Sequence, residues 1–581
     1  MLQERVGLRR GWRPRRWRPE TGAFVMAVIL LVLGFYFVYP VVLIAVNSFN
    51  ITPSIINPPT WGLDNWRIAF RDPELFEAIF NSVYIFVLST SITFPLAVLI
   101  SWALARVKMP FTYGLEFMFW VAFLVPGISS TLGWIMLLDP ELGFVNKALE
   151  ALPFIDDGPF NIFSIQGIVW IHVIGRGVAS SVMLLTPAFR NMDVTLEEAG
   201  RVAGASNIST MMRVTLPVMM PPMVIVLALQ LTRVFESFET EQLLGLPFGF
   251  FVYSTKIFQF ARMVPPEYGQ ATALASITLV LVAFIIPLQR WLIHRRRHTT
   301  VTGSFKPGRI NVGRWAYVIF GSIIALLLLK IVAPVLSLLV GSVMWRAGFW
   351  VPDPFTLDHW RFVLGDSQFI TSLTNTLWIA SVAAIASPLL FSVLGYILVR
   401  TRWPGRGWLD TMIWVSAVIP GMLSGLGLLW MFLGTPFLVP IYGTLIPLVI
   451  VVIIQGNTTG TQLSKAVFLQ MGADMEEQAR ISGAGWLRTY VTVWLPLIMP
   501  TMILLATINF VQAATTTSSI ILLATRGTMT LSIMALELAH PDVARIEEAG
   551  IISLFIMVAS AGLALTARAF GLRVGIRERR Y

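Results

Sequence analysis

The chain alternates between long apolar runs and short polar connections. Twelve of the apolar runs are long enough, or nearly so, to cross a bilayer as a helix. The predicted spans cover residues 23–46, 83–105, 117–138, 165–185, 216–235, 271–293, 315–340, 377–399, 412–433, 445–466, 495–514 and 551–567. The first run is about twice as long as the apolar part of a signal peptide and no A-x-A-like site follows it, so we expect it to be a span. The pattern predicts an all-α polytopic membrane protein.

The twelve spans form two sets of six, because landmarks of the first set recur in the second. Pro40 matches Pro334, and Asn81 matches Asn375, in each case 294 positions later. A later pair of polar segments is separated by 279 positions, so the first set carries 15 extra residues, near 139–163. Six spans per set is an even number, which predicts parallel repeats related by a pseudo-twofold axis along the membrane normal.

These landmarks divide the chain into five regions. The two repeats occupy 23–293 and 315–567, and a linker at 294–314 joins them. A basic N-terminal segment covers 1–22, and a basic tail covers 568–581.

Composition and charge support a membrane protein with both ends on one side. The chain is 56% hydrophobic and 13% charged, whereas a soluble protein carries about a quarter charged residues. Its net charge of +11 is concentrated in clusters at the N-terminus, in the linker and at the C-terminus. A basic tail can bind nucleic acid, but each cluster adjoins an apolar span, which favours positive-inside anchoring and no nucleic-acid partner. We therefore expect both termini and the linker in the cytoplasm.

Several kinds of chemistry are absent from the sequence. The chain has no cysteine, and its five histidines show no metal-ligand spacing. No GxxxxGK[ST] loop for phosphate binding occurs either. We expect no metal site, no catalytic residue and no bound nucleotide in this chain.

The most informative feature is a polar segment that occurs twice, at 195–217 and 474–496. Its copies read TLEEAGRVAGASNISTMMRVTLP and DMEEQARISGAGWLRTYVTVWLP, and they lie between spans four and five and between spans ten and eleven. Thr195 with Glu198 predicts a capping box, and Asp474 with Glu477 offers the same geometry. Gly204 and Gly483 predict a sharp turn after the first helix. The segment could be a simple connector, but a connector could be shorter, so we expect a docking role.

These residues resemble the EAA loop of binding-protein-dependent ABC importer permeases, with Gly200 and Gln478 departing from the usual Glu-Ala-Ala. We call the two copies the EAA segments. The resemblance implies a type I permease fold, and the fused, double-length form is similar to the ferric-iron, thiamine and phosphonate branch. It implies that the EAA segments dock on ATP-binding subunits. The residues implied in coupling are Glu197, Glu198, Ala199, Arg201, Gly204, Glu476, Glu477, Ala479, Arg480 and Gly483.

The resemblance also implies partners and a location. We expect two ATP-binding cassette subunits, which carry ATP and Mg²⁺, and a periplasmic or extracellular substrate-binding protein. The chain itself would lie in the bilayer of a bacterial plasma (inner) membrane and work by alternating access. The expected solute is ferric iron or an iron–anion complex, and phosphonate, thiamine and polyamines remain alternatives.

Polar residues inside the spans are candidates for a solute pathway. An ionisable side chain in the bilayer costs about 2.5–3.5 kcal/mol, so it should face protein or water. Spans four and five and their counterparts ten and eleven hold such residues at matching depths. The candidates are His172, Arg176, Gln230, Arg233, Glu236, Gln455, Asn457, Asn509, Gln512 and Thr515. Interhelical hydrogen bonding is an equally good explanation.

Two further expectations concern the shapes of spans. His172 and Arg176 are four residues apart and should share a helix face. Residues 457–459, Asn-Thr-Thr, interrupt span ten and predict an unwound, cavity-lining segment.

Two other classes of protein stay open. A secondary transporter would show the same bundle, but the spans hold few of the carboxylates that ion coupling uses. A membrane enzyme would need a nucleophile paired with a base, or a metal cluster, and the spans show neither.

Overall fold

The computed structural model describes residues 19–52, 58–231, 235–295, 308–401, 403, 405–416, 419–472 and 474–573. In this part of the chain the protein is a helical bundle, with three isolated β-bridges and no longer strand. Helices occur at all twelve predicted spans. In chain order they are Pro19–Phe37 with Tyr39–Asn47, Pro73–Arg106, Thr112–Leu124 with Gly127–Leu138, Ile165–Arg190, Leu216–Leu231, Tyr268–Arg295, Trp315–Ser342, Ser367–Arg400, Arg406–Ser416 with Gly421–Gly434, Ile446–Gln470, Leu495–Thr515 and Ile546–Arg573.

Shorter helices lie between the spans. They are Asp64–Arg71, Phe144–Glu150, Thr195–Val202, Asn207–Thr210, Glu239–Leu244, Tyr253–Arg262, Asp358–Gly365, Asp474–Ile481, Trp486–Thr489 and Leu531–Leu538.

The lengths and apolar character of the helices support a polytopic membrane protein. Among the described residues, eight helices are long and apolar enough to cross a membrane, and the bent pair in span three makes a ninth. Three shorter apolar helices, Met211–Leu227, Tyr268–Leu281 and Gly421–Gly434, fall where spans five, six and nine are predicted. The prediction of an all-α polytopic fold is confirmed.

The two repeats pack through a reciprocal contact between the first span of one repeat and the third span of the other. A β-carbon built on Gly133 would lie 2.6 Å from both Cβ and the carbonyl oxygen of Pro334. Its counterpart Gly427 meets Pro40 in the same way, at 2.9 Å from the carbonyl oxygen. The two glycines are 294 positions apart, and so are the two prolines, so the contact is isologous, as a twofold relation between repeats requires.

Proline explains the break in span three. Val125 and Pro126 are both extended, and Gly127 begins a second helix that is bent by 92° from the first. Pro126 has no amide hydrogen for the helix and disfavours a helical conformation at the residue before it. The chain therefore turns within the bundle at this point.

Spans four and ten differ in a way that the sequence did not predict. Span ten is a continuous helix from Ile446 to Gln470, so the expectation of an unwound segment at residues 457–459 is wrong. Span four instead contains a π-helical segment, Val173–Gly177, with a non-helical Gly175 (ψ −127°). This break lies between His172 and Arg176, so they do not share a regular α-helical face.

Candidate functional site

Each EAA segment begins with a two-turn helix that ends at a glycine. Gly204 (φ +88°) and Gly483 (φ +79°) lie in the left-handed region, which favours glycine. The amide of Ala205 donates to the carbonyl of Gly200, and that of Ala484 donates to the carbonyl of Ala479, both at 3.0 Å. This is the Schellman arrangement for a helix C-terminus. The predicted glycine turn is confirmed in both copies.

The predicted capping box is wrong in the first copy. Thr195 is the first residue of the helix, and the residue before it, Val194, occupies the cap position without a side-chain hydrogen bond. The amide of Thr195 donates to Asp193 Oδ1 at 3.0 Å. The acidic residue two positions earlier therefore satisfies the amide of Thr195.

The two adjacent glutamates of the first EAA segment have opposite environments. Glu198 is exposed, whereas Glu197 is fully buried and accepts a hydrogen bond from Thr215 Oγ1 at 2.7 Å. The other oxygen of Glu197 lies 3.8 Å from Arg106 Nε, and both side chains are 1% exposed. Glu197 therefore cannot reach a docked partner and instead ties the segment to span two.

Arg106 makes two further contacts besides its pairing with Glu197. It donates to the carbonyl of Met192, just before the EAA helix, and to that of Gly308 in the linker at 3.3 Å. A β-carbon on Gly308 would lie 2.6 Å from Val194, so the linker packs directly beside the EAA helix. Arg106 was not among the predicted site residues, and its position before the first connection predicted to be cytoplasmic was the available signal.

The second repeat supports its buried glutamate with different residues. Glu476 is buried and accepts a hydrogen bond from the hydroxyl of Tyr396 at 3.0 Å. Tyr396 stands where the first repeat has Trp102, and Trp494 stands where it has Thr215. The hydroxyl donor and the indole have thus exchanged positions between the repeats.

Arg400, the counterpart of Arg106, also keeps one of its contacts. It donates to the carbonyl of Met471 at 2.6 Å, as Arg106 does to Met192. Its guanidinium also lies 4.8 Å from the ring centre of Trp494, a cation–π distance. In each repeat, an arginine at the end of the second span therefore binds the backbone just before the EAA helix.

The outward faces of the two EAA helices share an exposed aliphatic residue. Val202 is 90% exposed and its counterpart Ile481 is 81% exposed. The coupling residues Glu198, Ala199, Gly204, Glu477 and Gly483 are also exposed, and Arg201 and Ala479 are half-buried. The side chain of Arg480 lies outside the described residues. Val202 and Ile481 were not among the predicted coupling residues, although they could have been found as apolar residues on largely polar helices.

The pathway candidate His172 pairs with a carboxylate that the sequence analysis did not single out. His172 Nε2 lies 2.7 Å from Glu241 Oε1, and Glu241 is 1% exposed. Ser237 donates to the other oxygen of Glu241. Glu241 belongs to the helix Glu239–Leu244, which follows span five. In the second repeat the positions of His172 and Glu241 hold Val451 and Ile520, so this pair exists in one repeat alone.

A lysine from the second repeat contacts the broken helix beside His172. The ammonium of Lys330, a buried residue of span seven, donates to the carbonyls of Ile174, at 2.8 Å, and Gly175. The non-helical Gly175 interrupts the regular hydrogen bonding of span four, and a buried carbonyl needs a donor. Lys330, which belongs to the other repeat, thus supplies hydrogen-bond donors to the carbonyls at the break in span four.

The other pathway candidates are bonded within their own repeats. Gln230 donates to Ser181, and Asn509 donates to the carbonyl of Leu505 at 2.8 Å. Asn457 is fully buried, donates to Ser416 at 3.4 Å and accepts from Thr461 at 3.1 Å. These contacts support interhelical hydrogen bonding for Asn457 and contradict its expected cavity-lining role.

The structure describes the side chains of four of the remaining pathway candidates and not those of the other two. Thr515 is buried and donates to the carbonyl of Val511, Gln455 and Gln512 are half-buried, and Glu236 is exposed. Arg233 and the side chain of Arg176 lie outside the described residues. Within the described residues, no group of three or more His, Cys, Asp or Glu side chains could hold a metal ion.

Comparison with known families identifies much of the second repeat. Residues 389–573 match the model of the binding-protein-dependent transport system inner membrane component. This segment, about a third of the chain, is similar to that family. It contains the EAA segment of the second repeat and four helical spans, so the resemblance read from the EAA residues is confirmed.

Curated relatives extend the similarity beyond the permease domain. FbpB of Actinobacillus pleuropneumoniae, a ferric transport system permease protein, is 23% identical over 86% of this chain and 71% of its own length. A second protein, named for ferric transport as FbpB 1 of Haemophilus influenzae, is 25% identical over 60% of this chain. That alignment spans about half of the relative, 55% of its length. These relatives are transport subunits, not enzymes.

One solved structure matches part of the chain. A bacterial ABC transporter that imports alginate matches 48% of this chain and 98% of its own, at 19% identity and a TM-score of 0.42.

Proposed function

We propose that this chain is the membrane-spanning permease of an ATP-driven importer, and that it serves two ATP-binding cassette subunits. The observation that carries the proposal is the pair of EAA helices. Both end in the same left-handed glycine turn and both present an aliphatic side chain to solvent, at Val202 and Ile481. Exposed aliphatic residues on a rigid helix suit insertion into a groove of a partner protein.

Buried contacts beneath the EAA helices connect the docking surface to the membrane spans. Glu197 with Arg106, and Glu476 with Tyr396, link each EAA helix to the second span of its own repeat. A rigid-body movement of a cassette subunit would therefore be transmitted directly to these spans. In this proposal both EAA segments, the linker and both termini face the cytoplasm of a bacterial cell, and a binding protein delivers solute at the opposite face.

We propose ferric iron, free or as an iron–anion complex, as the solute. Two relatives named for ferric transport support this choice. The described polar cluster offers one imidazole and one carboxylate, at His172 and Glu241, whereas tight metal sites in proteins use roughly four to eight ligands. Weak contacts of this kind suit a cargo that must leave the path again.

The proposal is tested by substituting the two turn glycines in the complete transporter. Proline cannot adopt the positive φ of Gly204 and Gly483, so the double variant Gly204→Pro and Gly483→Pro should misplace both EAA helices. We expect normal membrane insertion, loss of uptake of radioactive iron, and ATP hydrolysis that no longer responds to the binding protein. Thiamine, phosphonate and spermidine serve as competing solutes in the same uptake assay.

A matched control is available at the other face of the bundle. Gly443 also has a positive φ, +83°, and lies between spans nine and ten. Gly443→Pro introduces the same backbone conflict away from the EAA helices and should leave coupling intact. Normal uptake by the double glycine variant would refute the coupling role.

A further inference from the structure

The connections after spans one and seven fold into the same unit in both repeats. We call the end of the bundle opposite the EAA segments the far face, and both connections lie there because spans alternate in direction. In the first repeat Asn50 bridges to Trp61, and in the second Met344 bridges to Phe355, 294 positions later in each case. A short helix follows each bridge, Asp64–Arg71 or Asp358–Gly365. We call these the far-face helices.

The far-face helices are attached rigidly to the bundle. The indole of Trp66 donates to Ser48 at 3.1 Å, and that of Trp360 donates to its counterpart Ser342 at 3.2 Å. Asn65 also donates to the carbonyl of Asn50 at 2.7 Å. Each helix is thereby fixed to the end of the first span of its repeat, so the direction of its outer side is set by the fold.

Each unit exposes apolar side chains at five matching positions. Every one of these side chains is between 45 and 58% exposed. The positions are Trp61, Leu63, Ile68, Phe70 and Phe76 in the first repeat, and Phe355, Leu357, Phe362, Leu364 and Ile370 in the second. Residue identity changes at four of the five positions, but apolar character is kept at all of them. Apolar patches that are kept in two diverged copies indicate a common apolar environment.

In the first repeat the apolar patch continues into side chains of the following span. Trp66, Phe70 and Phe76 form consecutive ring contacts, at 5.9 and 6.2 Å between centroids. Phe76 leads to the exposed Phe80 and Tyr84, four residues apart along span two. These lie on a helix that is apolar enough to cross a membrane. The patch of Phe70 and Phe76 is therefore continuous with the exposed apolar side of span two.

Each far-face helix also carries a charged pair on its exposed side. Arg67 pairs with Asp64 at 3.2 Å, and Arg361 pairs with Asp358 at 3.1 Å, and all four side chains are more than half exposed. At 3.6 residues per turn, Ile68 and Phe70 point about 160° apart, with this pair between them. An exposed short helix that carries apolar side chains beside hydrated ion pairs has the character of an interfacial helix.

We infer that the two far-face helices lie in the lipid–water interface of the bilayer, with their apolar patches buried among lipid chains. A bilayer surrounds the molecule and would contact both pseudo-symmetric patches alike. A single asymmetric protein partner would have reason to keep only one. The far-face helices thus fix the depth at which the far face of each repeat lies in the membrane.

Site-directed spin labelling tests this placement, and the chain suits it because it contains no cysteine. Single cysteines at Phe70 and Leu364 place labels on the apolar patches, and cysteines at Asp64 and Asp358 serve as matched controls on the charged side of the same helices. The full chain is reconstituted in phospholipid vesicles, and collision with oxygen and with a water-soluble nickel chelate is measured. We expect the ratio of oxygen to nickel collisions to be several-fold higher at Phe70 and Leu364 than at Asp64 and Asp358.

Equal nickel accessibility at all four positions would overturn the inference. Shielding of Phe70 or Leu364 that develops only when a soluble binding protein is added would also overturn it, in favour of a protein-docking surface. All four substituted positions are exposed, so none of the variants removes a core contact.

Discussion

The two adjacent glutamates of the first EAA segment provide a sharp test of the structure, because they should have different effects when replaced. Glu197→Ala removes the carboxylate that faces Arg106 Nε at 3.8 Å, and both side chains are 1% exposed. Glu198→Ala removes an exposed carboxylate one position along the same helix. The sequence alone assigns both residues to the docking surface.

The expected cost of Glu197→Ala follows from the geometry. At an effective dielectric constant of about 20, two unit charges 3.8 Å apart interact by about 4 kcal/mol. Removing one partner of a buried pair typically costs about 3–5 kcal/mol, because the other charge stays buried. The variant also loses the hydrogen bond from Thr215. We expect the free energy of unfolding to fall by about 3–5 kcal/mol, against less than about 0.5 kcal/mol for Glu198→Ala.

The measurement is denaturant unfolding of the purified chain in mixed micelles, combined with coupled ATP hydrolysis in the complete transporter. Glu198→Ala should leave unfolding unchanged and weaken coupling. Glu197→Gln, which keeps the shape of the side chain, should fall between the two in stability. Equal unfolding free energies for Glu197→Ala and Glu198→Ala would show that Glu197 is not buried against Arg106.

Two further predictions concern the repeat interface and the far face. Gly133→Ala should sharply reduce the amount of folded protein, because its β-carbon would lie 2.6 Å from Pro334. The control Gly434→Ala should be tolerated, because its β-carbon would have no atom within 4 Å. Equal yields of the two variants by size-exclusion chromatography would contradict the reciprocal contact. Burial alone would lower the pKa of His359, but Glu548, 3.1 Å away, and the carbonyl of Trp345 outweigh it, so the pKa is raised above its usual value of 6.5. The stability from this pair is therefore fully present below pH 6.5 and is lost as the pH rises through the folded-state pKa. His359→Asn, which introduces the residue type found at Asn65, should remove that component, and a stability difference between wild type and variant that does not shrink between pH 5.5 and 8.5 would argue against it.

The sequence by itself determined the features that depend on local length and spacing. Apolar runs of about 20 residues identify spans wherever they occur, because the bilayer fixes their length. A glycine after a short polar helix predicts the left-handed turn at Gly204 and Gly483, because the strain of a positive φ is local. The duplication is likewise visible in the constant spacing between matching residues, and six spans in each copy predict two parallel repeats.

Only the tertiary structure decided which side of each helix is covered. In a membrane protein the lipid-facing residues are as apolar as the buried ones, so the sequence of a span gives little sign of its rotation. That is why the pairing of His172 with Glu241, and the contact of Lys330 with the broken span four, were not predicted. The same reason separates Glu197 from Glu198. Their identical side chains differ only in the direction of the helix face, and packing against Arg106 in span two sets that direction.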